Sequence, residues 1–343
     1  MKALVMREYK RFEYEDVPEP KIGPDEVLIR VKACGICGSD VHGMDGSSGR
    51  RIPPVIMGHE ASGVIAEVGG AVKGWSAGDR VTFDSTVYCG DCFFCRQGRP
   101  NLCDNRRILG VSCAEFRMDG AFAEYVAVPS RVLYRLPDAL SFERAAMVEG
   151  TSVAFHAVNR TPIRLNDTAV VVGAGMIGLL VIQALRLAGC GQIVAVDLDD
   201  ARLAAARELG ATATLRSDRE DVPAAVAKLT EGRGADLAFE VVGIAPTIRL
   251  AVASVRKGGS VTLVGNVSPG VDMPLQAMVT RELTLYGTAA SAGEYPACLE
   301  AMSREGVRVD PMISAVAPLA EGNSWFNRLY DREPGLMKVI LVP

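Results

Sequence analysis

Thr168-Ala169-Val170-Val171-Val172-Gly173-Ala174-Gly175-Met176-Ile177-Gly178 runs from an unbroken apolar strand straight into a glycine-rich turn, and the helical run Leu179 to Ala188 follows. A bare G-x-G-x-x-G pattern says little, but one lodged between strand and helix has the form of a phosphate-binding turn. Gly173 permits the tight turn, Gly175 lets the backbone approach a pyrophosphate, and Gly178 lets helix pack on strand. Met176 and Ile177 complete the turn and open the helix, whose free N–H groups favour phosphate. A second strand, Gln192-Ile193-Val194-Ala195-Val196, ends at Asp197, 19 residues past Gly178. A carboxylate there accepts from a ribose 2′-hydroxyl and repels a 2′-phosphate, so the expected dinucleotide is NAD. Arg202, close by, is the residue that keeps NADP in play.

Outward from this turn, strands alternate with helical patterns, as in a parallel sheet wound with helices. Strands are expected at Asp236 to Val242, Ser260 to Val264 and Leu283 to Tyr286, with helices at Ala201 to Leu209 and Pro246 to Val255. The first 150 residues read differently. Glu26 to Ala33 approaches strict alternation, and Gly63 to Val68 and Asp79 to Thr82 are short runs bounded by glycine. Near the end, Leu319 to Tyr330 fits an amphipathic helix and Lys338 to Val342 a last strand. The 343 residues suit about two domains. An apolar fraction of 49% and a net charge of −4 exclude disorder and argue against nucleic-acid binding. With no run of about 18 apolar residues, no membrane span is expected, and the expected location is the cytoplasm.

Nine cysteines in such a chain point to metal or catalysis before disulfides. Cys89, Cys92, Cys95 and Cys103 form C-x2-C-x2-C-x7-C, a spacing that wraps one tetrahedral Zn²⁺. Four sulfurs close the coordination sphere, so this site is expected to be structural; an iron–sulfur cluster is the chemical competitor. A second, open zinc site could use Cys37, within Gly35-Ile36-Cys37-Gly38-Ser39-Asp40-Val41-His42, and His59, within Gly58-His59-Glu60. On spacing alone, a core thiol and a turn histidine explain that pair better. Cys34, Cys113, Cys190 and Cys298 share no metal spacing, and His156 reads as a packing or hydrogen-bonding residue.

Taken in order, the Cys37 segment, Gly58-His59-Glu60 with Gly63 and Gly69, the four-cysteine lobe and the dinucleotide turn resemble the zinc-dependent medium-chain dehydrogenases over essentially the full chain. The likeness is greatest to the polyol branch typified by sorbitol dehydrogenase. It implies an α/β protein: a GroES-like β-rich catalytic domain from residues 1–150 and 288–343, and a Rossmann domain, a doubly wound parallel sheet, from residues 151–287. Cys37 and His59 match catalytic zinc ligands, with Glu149 as the third, directly or through water, and Glu60 as the carboxylate that can exchange with it. Ser39 matches the hydroxyl of a proton relay and His42 its histidine. Gly265-Asn266-Val267 is expected to border the nicotinamide, Val242 to belong to the cofactor site, and Asp197 matches the ribose-binding acid. The implied reaction is reversible hydride transfer between NAD and a secondary alcohol, polyol or sugar-derived substrate, with one catalytic and one structural zinc. A homodimer or homotetramer is implied by resemblance alone.

Departures from that branch bear on the substrate. Gly43 stands where a tyrosine tends to follow the relay histidine, and Gly150 where proline is usual. The segment whose arginine and tyrosine face a polyol reads Gly287-Thr288-Ala289-Ala290-Ser291 here. Without a five-donor guanidinium, a long polyhydroxyl chain loses partners. A related polyol, a cyclitol, a sugar derivative or a simpler secondary alcohol all fit. A zinc-free medium-chain reductase and a non-catalytic, nucleotide-sensing zinc protein are the competing functions.

Overall fold

The computed structural model describes all 343 residues, Met1–Pro343, in two compact units. One comprises Met1–Glu149, Tyr295–Arg304 and Val309–Pro343; the other comprises Gly150–Glu294 and Glu305–Arg308.

In the second unit the strand Thr168–Val172 lies at the centre of a six-stranded sheet. The spatial order is Ala213–Arg216, Gln192–Asp197, Thr168–Val172, Ala235–Glu240, Val255–Leu263, Thr284–Gly287, every pair parallel. This is the doubly wound order expected from the alternation, with helices Met176–Leu187, Asp200–Glu208, Val222–Leu229 and Ala245–Ser254 among the connections. Ala169, Val170, Val171 and Val172 are buried, which explains their unbroken apolar run: a central parallel strand is covered on both faces. Gly178 is there for close approach, since a Cβ on it would fall 1.8 Å from the Gly173 carbonyl oxygen.

The fourth strand ends at Glu240, two residues earlier than its apolar pattern suggests. The buried Glu240 carboxylate accepts from the Val242 and Gly243 backbone N–H groups and from the Thr247 hydroxyl, which turns the chain away from the sheet. Residues 288–294 and 305–308 stay with this unit. Glu294 pairs with His156 at 2.8 Å, and Arg308 is tied to Gln183 and Glu208.

The first unit is built on a seven-stranded sheet around Glu26–Gly35, flanked by Glu60–Val68 and by the carboxyl-terminal strand Lys338–Val342. The strand Glu60–Val68 starts three residues before the expected run at Gly63. Val27, Ile29 and Val31 turn into the core, and an aromatic cluster of Phe12, Phe122 and Phe326 closes it, with ring centroids 4.3 and 5.5 Å apart. Phe326 lies on the helix Gly322–Tyr330, entered through a 3-10 turn at Leu319–Glu321. An amino-terminal hairpin, Lys2–Glu8 with Arg11–Asp16, carried no distinct signal in the sequence. No helix is long and apolar enough to cross a membrane.

Candidate metal centres and nucleotide site

Strand register assembles the first centre. Gly35 stands opposite Glu60 across the antiparallel ladder, and Ile340 opposite Gly35 on its other side. A Cβ on Gly35 would fall 2.6 Å from Glu60 Oε2, so only glycine leaves room for that carboxylate. Just beyond Gly35 the chain turns at Cys37, which precedes the short helix Gly38–Gly43 in extended conformation. The ligand atoms of Cys37, His59 and Glu60 all lie within 4.8 Å of one another.

The buried polar atoms show what this trio lacks. Glu60 Oε1 is buried without a hydrogen-bond partner, while His59 Nδ1 faces the Asp40 carboxylate. Glu60 Oε2 is taken by the Lys338 ammonium, which also donates to the Ile36 carbonyl at 3.0 Å. Burial opposes the Lys338 charge, yet Glu60 and Cys37 hold its pKa above the ordinary lysine value. One thiol, one imidazole and one carboxylate oxygen, converging with one position open, form a donor set that fits catalytic zinc.

Glu149 is not in this trio. It lies half-buried in the first turn of the helix Val148–Asn159. Burial, reinforced by Glu60 and Asp84 against the opposing charge of His59, pushes its pKa up to about 7. The geometry therefore gathers Glu60 with Cys37 and His59, and leaves Glu149 as a neighbouring carboxyl group. Ser39 and His42, three residues apart on one short helix, share a face and are exposed.

Three partners of these residues escaped the sequence reading. Asp40, fully buried, places Oδ1 3.4 Å from His59 Nδ1 and accepts from Arg51 Nη2 at 2.9 Å. Although burial works the other way, His59 and Arg51 hold its carboxyl well below the usual carboxylate range. Arg51 is also buried, as is Lys338. Only Lys338 left a trace in the sequence, as a lone charge opening the apolar run Val339 to Val342.

The four-cysteine lobe closes as its spacing implies: the sulfurs of Cys89, Cys92, Cys95 and Cys103 lie within 4.8 Å of one another. Cys89 and Cys103 stand 3.5 Å apart, against the about 3.8 Å expected for two sulfurs on one tetrahedral zinc. Backbone N–H groups of Cys95 and Asp104 donate to the Cys92 sulfur and bring its pKa down to about 7, which favours the thiolate form a metal needs.

In the second unit, Gly173 and Gly175 form the turn before the helix Met176–Leu187, with Gly175 as its N-cap. Asp197, at the end of its strand, accepts from the Ala174 N–H at 2.7 Å, so the acid is anchored onto the turn itself. Its other oxygen accepts from Leu198 and Asp199 N–H groups, and Arg202 Nη1 stands 4.0 Å from the oxygen that Ala174 holds. Val242 packs where a Gly173 side chain would be, and Gly265 packs on Val242 and Gly243 so closely that a Cβ would meet backbone at 2.2 Å. Gly173, Val242, Gly265 and Asn266 are thus brought to one corner of the sheet.

Comparison with known proteins bears on both units. The alcohol dehydrogenase GroES-like domain matches residues 23–138, and the zinc-binding dehydrogenase domain matches residues 177–304. Sorbitol dehydrogenase of Bacillus subtilis is 35% identical, over 100% of this chain and 97% of its own length. The crystal structure of 2R,3R-butanediol dehydrogenase from Bacillus subtilis is similar with a TM-score of 0.90 and 34% identity, covering 100% of this chain and 99% of that one. A protein from Sinorhizobium meliloti described as a zinc-binding dehydrogenase, solved bound to NADP, is similar with a TM-score of 0.91 and 32% identity, covering 100% and 99%.

Proposed function

This chain belongs to the zinc-dependent alcohol dehydrogenases, a family that uses zinc and NAD(P), and from that premise we propose how it works and on what. The reaction is the reversible oxidation of a secondary alcohol to a ketone, with NAD as the preferred acceptor. The convergence of Cys37, His59 and the unpartnered Glu60 Oε1 carries this reading.

When bound, zinc supplies Lewis acidity to the substrate oxygen and NAD supplies the hydride acceptor. Cys37, His59 and Glu60 hold the metal, while Lys338 occupies the second Glu60 oxygen. Glu149, with a pKa near neutrality, is suited to hold a water beside those ligands. Ser39 takes the alcohol proton and passes it towards His42 and solvent. Gly173 to Gly178 receive the pyrophosphate and Asp197 the ribose, with Arg202 the nearest cation to a 2′-phosphate. Val242, Gly265 and Asn266 border the nicotinamide. Cys89, Cys92, Cys95 and Cys103 hold a structural zinc.

The substrate is a compact secondary alcohol, vicinal diol or sugar derivative. The segment Gly287 to Ser291 offers no guanidinium for a long polyol, which favours the kind of substrate named for the relative (R,R)-butanediol dehydrogenase over that named for the sorbitol dehydrogenases. We expect a homodimer or homotetramer in the cytoplasm. The strand Thr284–Gly287 is an unpaired sheet edge, and Val267, Leu275 and Val279 in the same region of the chain are 51%, 67% and 66% exposed. A panel of secondary alcohols, diols and polyols offered with NAD and NADP, read by reduced-cofactor absorbance, tests the reading. Turnover of a diol or secondary alcohol, faster with NAD, is expected. Reduction of neither cofactor by any alcohol would refute it.

A further inference from the structure

We propose that Arg51 is a positioning residue of the zinc centre, clamping the Asp40 carboxylate behind His59 and setting the Ser39 hydroxyl with the same guanidinium. Its second half rests on the relay assigned above to Ser39; its first does not.

Arg51 is 4% exposed, although it lies in the connection between the helix Gly38–Gly43 and the strand Val55–Ile56. Its backbone is pinned on both sides, since Ile52 N–H donates to the Ser112 carbonyl and Ser112 N–H to the Arg50 carbonyl, at 2.9 and 3.2 Å. The stem then crosses Gly43. A Cβ at Gly43 would fall 2.5 Å from Arg51 Cγ, so the residue after His42 is small because the arginine passes over it.

At its far end the guanidinium distributes its donors over three groups. Nε and Nη2 both donate to Asp40 Oδ1, at 3.1 and 2.9 Å, and Nη1 donates to the Arg50 carbonyl at 3.0 Å. Nη2 also reaches Ser39 Oγ at 3.5 Å, long as such contacts are before substrate is in place. The Asp40 oxygen gripped by Arg51 is the one 3.4 Å from His59 Nδ1. One planar group therefore braces the carboxylate that faces a candidate metal-binding imidazole and reaches the Ser39 hydroxyl.

Chemistry fixes the direction of both effects. Arg51 can only donate, so at Ser39 it fills one of two lone pairs. The other lone pair and the hydroxyl hydrogen remain for receiving and forwarding a proton. At Asp40 Nε and Nη2 together hold one carboxylate oxygen in place; without them the buried carboxylate would be free to shift, and His59 would lose its orienting partner. A lysine could supply the charge without the fork.

The test uses the zinc-loaded enzyme and the variants Arg51→Met, Arg51→Lys, Ser39→Ala and Arg51→Met/Ser39→Ala. Zinc release to a chromogenic chelator is followed, the catalytic-site phase being the one absent from Cys37→Ser. Arg51→Met should speed that phase about 10- to 100-fold and leave release from the four-cysteine lobe unchanged. Arg51→Lys should fall between, and it carries the measurement should Arg51→Met not fold. Turnover should drop less for Arg51→Met in the Ser39→Ala background than in the wild-type one. Unchanged catalytic-site release in a folded variant would overturn the first half, and equal turnover losses in both backgrounds the second. Ser39→Ala at full turnover would instead refute the relay and with it the second half, while zinc release still decides the first.

Discussion

In the proposed centre Cys37 would be the one soft ligand, and replacing it should separate binding from chemistry. Cys37→Ser is expected to reduce kcat by at least about 1,000-fold, on the scale of a lost catalytic group, while NADH binding and the circular dichroism spectrum stay unchanged. Full activity in that variant would remove zinc catalysis from this site. Asp197 poses a different question, because its carboxylate is already committed to three backbone N–H groups, including one in the glycine turn. Asp197→Ala removes both a ribose acceptor and the charge that repels a 2′-phosphate. The ratio of kcat/KM for NAD over NADP should fall about 10- to 100-fold, the size of one charge-assisted hydrogen bond. An unchanged ratio would mean that the ribose is read elsewhere.

Between residue and fold lie the elements that hold these groups. The helix Val148–Asn159 carries Glu149 in its first turn and His156 in its last. His156 is locked to Glu294, which also accepts from the Ala292 N–H at 2.5 Å, so the loop before the helix Tyr295–Ser303 is tied down at one carboxylate. Burial alone would raise the Glu294 pKa, but the hydrogen bond from His156 leads a set of contacts that leave it lowered. A depressed carboxyl pKa stabilises the fold above the unfolded value, about 4.3, and that contribution vanishes as pH falls through the folded value. Glu294→Gln should therefore cost about 1–3 kcal/mol at neutral pH, with the difference from wild type shrinking below about pH 4. Urea unfolding at the two pH values measures it, and a pH-independent difference would contradict the pairing.

The element scale also shows what pattern reading can and cannot see. The strand Thr168–Val172 and the helix Met176–Leu187 were legible because burial on both faces writes an unbroken apolar run and the turn between them demands glycine. The expected strand through Val242 ran past its end, because Val241 and Val242 are apolar while the Glu240 carboxylate draws the Val242 and Gly243 N–H groups into a loop. A hydrogen bond from side chain to backbone leaves no periodicity to detect.

For the whole molecule, the strand Thr284–Gly287, with one side of its ladder open, and the exposed Leu275 and Val279 offer a surface that a second copy could cover. Charge placed there should oppose self-association, so Leu275→Glu/Val279→Glu is expected to sediment as a monomer, against the dimer or tetramer expected for the wild type. The same oligomer in the variant would move the interface elsewhere. Two centres were readable before any fold was known, since Cys89 to Cys103 and Gly173 to Asp197 each lie within a short stretch of chain, where spacing alone constrains geometry. The third was legible only through the family resemblance, which named Cys37, His59, Glu60 and Glu149 without choosing between the two carboxylates. Lys338 reaches Glu60 across 278 residues of sequence, and Arg51 reaches Asp40 across a connection with no regular structure. Which carboxylate joins Cys37 and His59 is set by the register of the strands Glu26–Gly35, Glu60–Val68 and Lys338–Val342. Register is a long-range property of a packed sheet: it depends on which side chains bury together, and no local spacing encodes it.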